Sequence, residues 1–130
     1  MAYYLDTSAA VKLVLRQPES PALLAWAADH AEEVVSSDLL RTELLRVTRR
    51  GAPQRMLRAR AVLDAVTLLA LPPATFERAA QVEPATLRSL DALHLAVAME
   101  LGDELHGIVT YDDRLSDAAA RHGVAVVAPT

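Results

Sequence analysis

Four carboxylates stand at comparable places along this chain, and together they have the makings of a cation site. Asp6 ends an apolar, β-prone run in "YYLDTSAAV". Glu43 sits about one turn into a helix-like stretch in "RTEL", Asp91 lies in the first turn of another in "LDALHLAVA", and Asp112 follows the run "GIVTY". Two carboxylates about 4 Å apart repel by roughly 4 kcal/mol at an effective dielectric of about 20, so a cluster must splay, take up a proton or bind a cation. With oxygen donors and no cysteine in the chain, the fitting cation is Mg²⁺ or Mn²⁺. Such an ion activates water and steadies charge on a phosphodiester during in-line displacement.

Each acid also has a plainer reading. An acid in a first helical turn, like Asp91, offsets the helix dipole by roughly 0.3–1 kcal/mol. Asp6 suits a helix cap, Glu43 is spaced to pair with Arg46 or Arg50, and Asp112 suits a turn. Convergence is what separates the two readings, and convergence depends on the elements that carry the four residues.

Short β-like runs alternate with longer helix-like runs from end to end, the pattern of a parallel sheet covered by helices on both faces. The expected strands are Tyr3 to Leu5, Val34 to Ser36, Thr67 to Leu71, Ile108 to Tyr111 and Ala125 to Ala128. An apolar helix-like pattern begins behind Asp6. Ser20 and Pro21 predict the cap and first residue of a helix through Ala31, and Ser37 or Asp38 caps one over Leu39 to Arg50 that stops at Gly51 and Pro53. Another starts near Pro53, and Pro73 opens a short one through Val82. Ser89 is expected to cap "LDALHLAVAMEL", with Leu90, Leu93, Val97 and Leu101 as its apolar stripe and Gly102 as its stop. A last helix runs near Leu115 to Arg121. In such a sheet, strand ends and following helix starts meet at one edge, where α/β proteins bind ligands. All four acids belong at that edge.

The chain has 130 residues, of which 52% are hydrophobic, which suits one domain over 1–130 with a real core and excludes a disordered polypeptide. The absence of cysteine excludes disulfides, thiolate zinc sites and cysteine nucleophiles, and fits a reducing cytoplasm. No basic flank with a long apolar stretch opens the chain and no apolar run is long enough to span a bilayer, so a soluble protein is expected. The net charge of −4 is uneven: residues 41–60 hold seven arginines against the single acid Glu43, a +6 segment in a chain that is otherwise −10. That asymmetry suggests an anionic partner, although arginines also serve as ordinary solvated helix faces.

The motifs "YLDTSA", "RTEL", "LDALHLAVA" and "VTYDDRL", in this order, resemble PIN-domain ribonucleases, and most closely the VapC-type toxins of bacterial toxin–antitoxin pairs. The resemblance covers essentially the whole chain. It implies a three-layer α/β fold around a mostly parallel five-stranded sheet, and an Mg²⁺- or Mn²⁺-dependent endoribonuclease that leaves a 5′ phosphate and a 3′ hydroxyl. The family's acids fall on Asp6, Glu43, Asp91 and Asp112, as metal ligands and catalytic groups. The attacking group is then a metal-bound water, and Ser8 supports the site. "TYDD" leaves the fourth acid open: Asp112 directly follows the strand, Asp113 reads as a helix cap, and Asp117 is a candidate outer ligand.

The family also implies a VapB-type antitoxin whose tail lies across the site, and a homodimer that forms a heterotetramer or larger assembly with it. Arg46, Arg49, Arg50 and Arg55 would then contact RNA phosphates or that antitoxin. His94 shares a helix face with Asp91, but Mg²⁺ prefers oxygen and a lone histidine in an apolar helix reads as packed. Trp26, Tyr3 and Tyr4 read as core before they read as base-stacking groups. Two alternatives come from other classes. A PIN-fold RNA- or protein-binding module without significant nuclease activity would be expected to lack one of the acids. A phosphohydrolase using Asp6 as covalent nucleophile would want a second aspartate two residues on, where this chain has Ser8.

Overall fold

In the computed structural model, which describes all 130 residues, the elements run β1 (Ala2–Leu5), α1 (Thr7–Val14), α2 (Ser20–Asp29), β2 (Val34–Ser37), α3 (Leu39–Gly51), α4 (Met56–Ala65), β3 (Thr67–Leu69), α5 (Pro73–Ala79), α6 (Ser89–Glu100), β4 (Leu105–Val109), α7 (Asp113–Arg121) and β5 (Val126–Val127). Single 3₁₀ turns precede α4 and β4. The sheet order is β3-β2-β1-β4-β5, with every pair parallel. From β1 the chain winds one way through β2 and β3, then crosses back to β4 and β5. The reversal lies between β1 and β4, the switch point at which open parallel sheets present a crevice beyond their carboxyl ends.

The three layers follow from alternation along the strands. Leu5 faces a core of Ala9, Val14, Leu40, Leu44, Val62 and Leu63 under α1, α3 and α4. Its neighbour Tyr4 faces the other way, into Leu95, Val97, Ile108, Leu115 and Ala119 under α6 and α7. Tyr4 is fully buried. Tyr3 packs edge-on to Trp26 and stacks on His106, away from the carboxyl edge, so none of these aromatics offers a free face at the acids.

The expected strands and helices are all present with shifted ends. β4 starts at Leu105 rather than Ile108 and ends at Val109, β3 stops at Leu69 short of Pro72, and α5 stops at Ala79 rather than Val82. The capping expectations fail at three places. Ser20 is the first helical residue and its hydroxyl donates to Leu15 O (3.0 Å) instead of capping. Asp38 stands at the cap position of α3 but binds Arg41 (2.9 Å), and Arg88, not Ser89, precedes α6. Helix α6 has no narrow apolar stripe either: it is buried on several sides through Ala92, His94, Leu95, Ala96, Val97 and Ala98, while Leu90 is 46% exposed. It does stop at Gly102, which takes a left-handed φ of 56° that favours glycine.

Candidate active site

Beyond the carboxyl ends of β1 and β4 lies an open cleft of about 360 Å³ lined by Asp6, Thr7, Ser8, Glu43, Arg88, Ser89, Leu90, Asp91, His94 and Asp112. Four elements deliver the four expected acids to it. Asp6 is the residue between β1 and α1, Glu43 faces in from α3, Asp91 from the first turn of α6, and Asp112 from the start of α7.

Asp6 is held most tightly. It caps α1 by accepting the Ala9 amide at Oδ1 (3.1 Å), so its plain reading is also true. The same oxygen accepts the Ser8 hydroxyl (2.7 Å), and Oδ2 accepts the Thr110 hydroxyl (2.9 Å). Each hydroxyl in turn accepts a backbone amide from the segment after β4: Tyr111 N–H to Ser8 (2.9 Å) and Asp112 N–H to Thr110 (3.1 Å). Ser8 thus bonds the Asp6 carboxylate directly, and Thr110 is an equal partner that the sequence motifs did not single out. Its signal was register, since Leu5 pairs with Val109 and so sets Thr110 beside Asp6. Asp6 is only 3% exposed, and burial pushes its carboxyl above the ordinary range while the three donated bonds pull it back.

Asp91 is also raised, first by burial and then by the charge of Asp112, with Arg88 opposing. The Arg88 guanidinium stands 3.7 Å from Asp91 Oδ2 and 3.9 Å from Asp112 Oδ2, and its side chain is 63% exposed. It is a loosely held counter-charge at the cleft mouth. Asp112 caps α7 by accepting the Leu115 amide (2.9 Å), the role expected of Asp113, which instead is an exposed first-turn residue. Glu43 does not reach Arg46 or Arg50. Its Oε1 lies 2.6 Å from His94 Nε2.

Asp117 is exposed and lines a neighbouring cavity with Thr86, Arg114 and Arg121, not the acidic cleft. The basic segment lies apart from the acidic cleft. α3 starts at the carboxyl edge and runs away from it, so Arg49 and Arg50 lie about 9 and about 10.5 Å farther along the axis than Glu43 at about 1.5 Å per residue. Arg55 donates to Val14 O (3.1 Å) and Arg58 to Leu13 O (3.0 Å), closing carbonyls of the last turn of α1. Arg46 is exposed on α3 outside the cleft lining.

No three Asp, Glu or His side chains stand close enough to form a ready-made metal cage. The donor chemistry nevertheless fits a hard cation. Asp6 spends three of about four acceptor directions on its hydrogen bonds, while Glu43 keeps Oε2 and Asp91 keeps Oδ1 free of any hydrogen bond or ion pair. Mg²⁺ demands no closed protein cage, since it commonly keeps several waters and takes one or two carboxylates plus substrate phosphates.

Comparison with known proteins gives the family and the fold. The PIN domain family model matches residues 3–121. "Ribonuclease VapC47" of Mycobacterium tuberculosis (strain CDC 1551 / Oshkosh) is 41% identical, over 97% of this chain and 96% of its own. "Ribonuclease VapC46" of M. tuberculosis (strain ATCC 25618 / H37Rv) is 41% identical over 99% of this chain and 98% of its own. Among solved structures, M. tuberculosis VapC20, described as a sarcin-ricin loop cleaving toxin, superposes with a TM-score of 0.78 over 98% of this chain and all of that one. At 18% identity that likeness speaks for the fold alone. Fold, acids and sequence relatives lead to one assignment: the chain belongs to the PIN domain family, among the VapC ribonucleases.

Proposed function

We propose that this chain is a divalent-metal-dependent endoribonuclease toxin, held in check by a VapB-type antitoxin. The observation that carries the reading is the convergence of Asp6, Glu43, Asp91 and Asp112 from four elements into one open cleft at the sheet's switch point. Asp6, Glu43, Asp91 and Asp112 would hold Mg²⁺ or Mn²⁺, which supplies activation of water and charge stabilisation on the phosphodiester.

The chain's own residues do the rest. Ser8 and Thr110 lock the Asp6 carboxylate in place through the amides behind them. Their donated bonds favour the ionised form that a cation needs, against the pull of burial. The amino-terminal ends of α1, α6 and α7 meet at the cleft, and their dipoles favour an anionic backbone there. Arg88 sits at the mouth, placed to exchange the carboxylates for a substrate phosphate. Next to it, Arg114 and Arg121 are exposed along α7 in a cavity of about 540 Å³ that the loop before α6 completes. Arg88 at the mouth and Arg114, two residues past Asp112, lie nearest the acids, with Arg121 farther out along α7, and we assign these three the grip on RNA phosphates.

The remaining exposed arginines of α3 are left for the antitoxin. A homodimer, joined by antitoxin into a heterotetramer or larger complex, is the assembly that goes with this reading. No helix is long and apolar enough to cross a membrane, and the cytoplasm is the compartment proposed. The binding-module alternative gains nothing from the site, because all four acids line it.

The test is cleavage of total cellular RNA by the purified chain free of antitoxin, with Mg²⁺ or Mn²⁺ and with EDTA, beside Asp6→Asn. Discrete fragments that need the metal and vanish in the variant are expected. Intact RNA after incubation with folded wild-type protein and metal would refute the nuclease.

A further inference from the structure

His94 is 1% exposed in the middle of α6, yet it meets the cleft from below. Its Nδ1 lies 2.7 Å from Tyr4 Oη, and Tyr4 Oη lies 2.8 Å from Ser37 Oγ. Its Nε2 lies 2.6 Å from Glu43 Oε1 and 3.3 Å from Thr7 Oγ1. An ionised carboxylate only accepts, so Nε2 donates to Glu43. We infer that His94 is a positioning residue for Glu43: the buried series Ser37, Tyr4, His94, Glu43 sets which carboxylate oxygen turns into the cleft. This rests on the nuclease reading above.

The geometry carries it in three steps. Glu43 stands on the half-exposed side of α3, on a flexible side chain, and forms no ion pair with an arginine of its own helix. The imidazole cannot turn, because both nitrogens are engaged and no buried polar side-chain atom lacks a partner. The series joins β2, β1, α6 and α3, so Glu43 is fixed relative to Asp6 on β1's end and to Asp91 three residues before His94. Oε1 is spent on the ring, which leaves Oε2 for the cleft. Groups that orient a metal ligand in this way typically change metal affinity or activity by roughly 10–100-fold when removed. A histidine serving only to fill the core would change the melting temperature and nothing else.

The experiment compares full-length wild type with His94→Leu, His94→Gln, Tyr4→Phe and Glu43→Gln. Mn²⁺ alone is the binding probe, with the free ion followed by electron paramagnetic resonance. Cleavage is resolved into kcat and KM, and the ring Nε2 proton is followed by NMR in metal-free protein. His94→Leu is expected to lower Mn²⁺ affinity and kcat by about tenfold or more, with KM for RNA unchanged. His94→Gln restores an N–H toward Glu43 and recovers most of both. Adding His94→Leu to Glu43→Gln costs little beyond Glu43→Gln alone, because His94 acts only through Glu43. The Nε2 proton signal shifts in Glu43→Gln.

A folded His94→Leu with wild-type Mn²⁺ affinity and kcat overturns the inference. If that variant does not fold, Tyr4→Phe decides: an unmoved Nε2 signal together with unmoved Mn²⁺ affinity overturns it. A ring proton indifferent to Glu43→Gln sinks the pairing while the nuclease stands. RNA left intact by the wild type sinks the nuclease, and the catalytic meaning of Glu43 with it.

Discussion

The buried carboxylate of Asp6 is the most demanding residue in this molecule. Asp6 has its proton affinity raised by burial, so the folded state binds a proton more tightly than the unfolded one. The folded chain therefore holds more protons than the unfolded chain between the ordinary value of 3.8 and the raised one. Stability falls as pH rises through that window. Metal-free protein should melt lower above that window than below it, and Asp6→Asn should flatten the dependence and melt higher above the window, by roughly 4 °C for each kcal/mol regained. Calorimetry across pH checks this. The same variant should lose cleavage altogether, as should Asp91→Asn with its circular dichroism unchanged. A folded, fully active Asp91→Asn would refute the site.

At the level of elements, arginine illustrates how far the sequence could be read. The four acids were legible because strand ends and helix starts share an edge in any parallel sheet, so their order and local context were enough to gather them. The basic segment was not, because charge counted along a chain says nothing of direction. α3 carries Glu43 at its near end and Arg49 and Arg50 away from the cleft, and Arg55 turns back to close a helix end. Arg88 carried no mark, because a single arginine in "LRSLDALH" belongs to no pattern. Two helix caps moved by one residue: Ser20 lies inside its helix and donates to Leu15 O, and Ser89 is the exposed first residue of α6. Replacing Arg55 with Ala should cost about 1 kcal/mol of stability and leave RNA affinity untouched. Replacing Arg88, Arg114 and Arg121 with Gln should weaken RNA binding in the inactive Asp6→Asn background and reduce its salt slope by about 0.7 for each phosphate no longer held.

For the molecule as a whole, the proposed metal would be linked to the fold. Four elements lend one acid each, so a cation bound at their meeting point stabilises the native state by mass action. At free Mn²⁺ about 100 times its dissociation constant the gain is about 2.7 kcal/mol. A thermal melt should rise with Mn²⁺ in the wild type and stay level in a variant lacking Asp6 and Asp91. The core that supports this is conventional, and Leu95→Ala, deleting a fully buried side chain on α6, should cost about 2–5 kcal/mol by urea titration.

The pairing of β1 with β4 has one more consequence, in time. The Thr110 hydroxyl that clasps Asp6 arrives 104 residues later in the chain. During synthesis Asp6 can find Ser8 and the Ala9 amide at once, but Asp91, Thr110 and Asp112 join it only when α6, β4 and the start of α7 have followed. A chain cut short before β4 keeps Asp6 but lacks Thr110 and Asp112, and such a truncation should not cleave RNA.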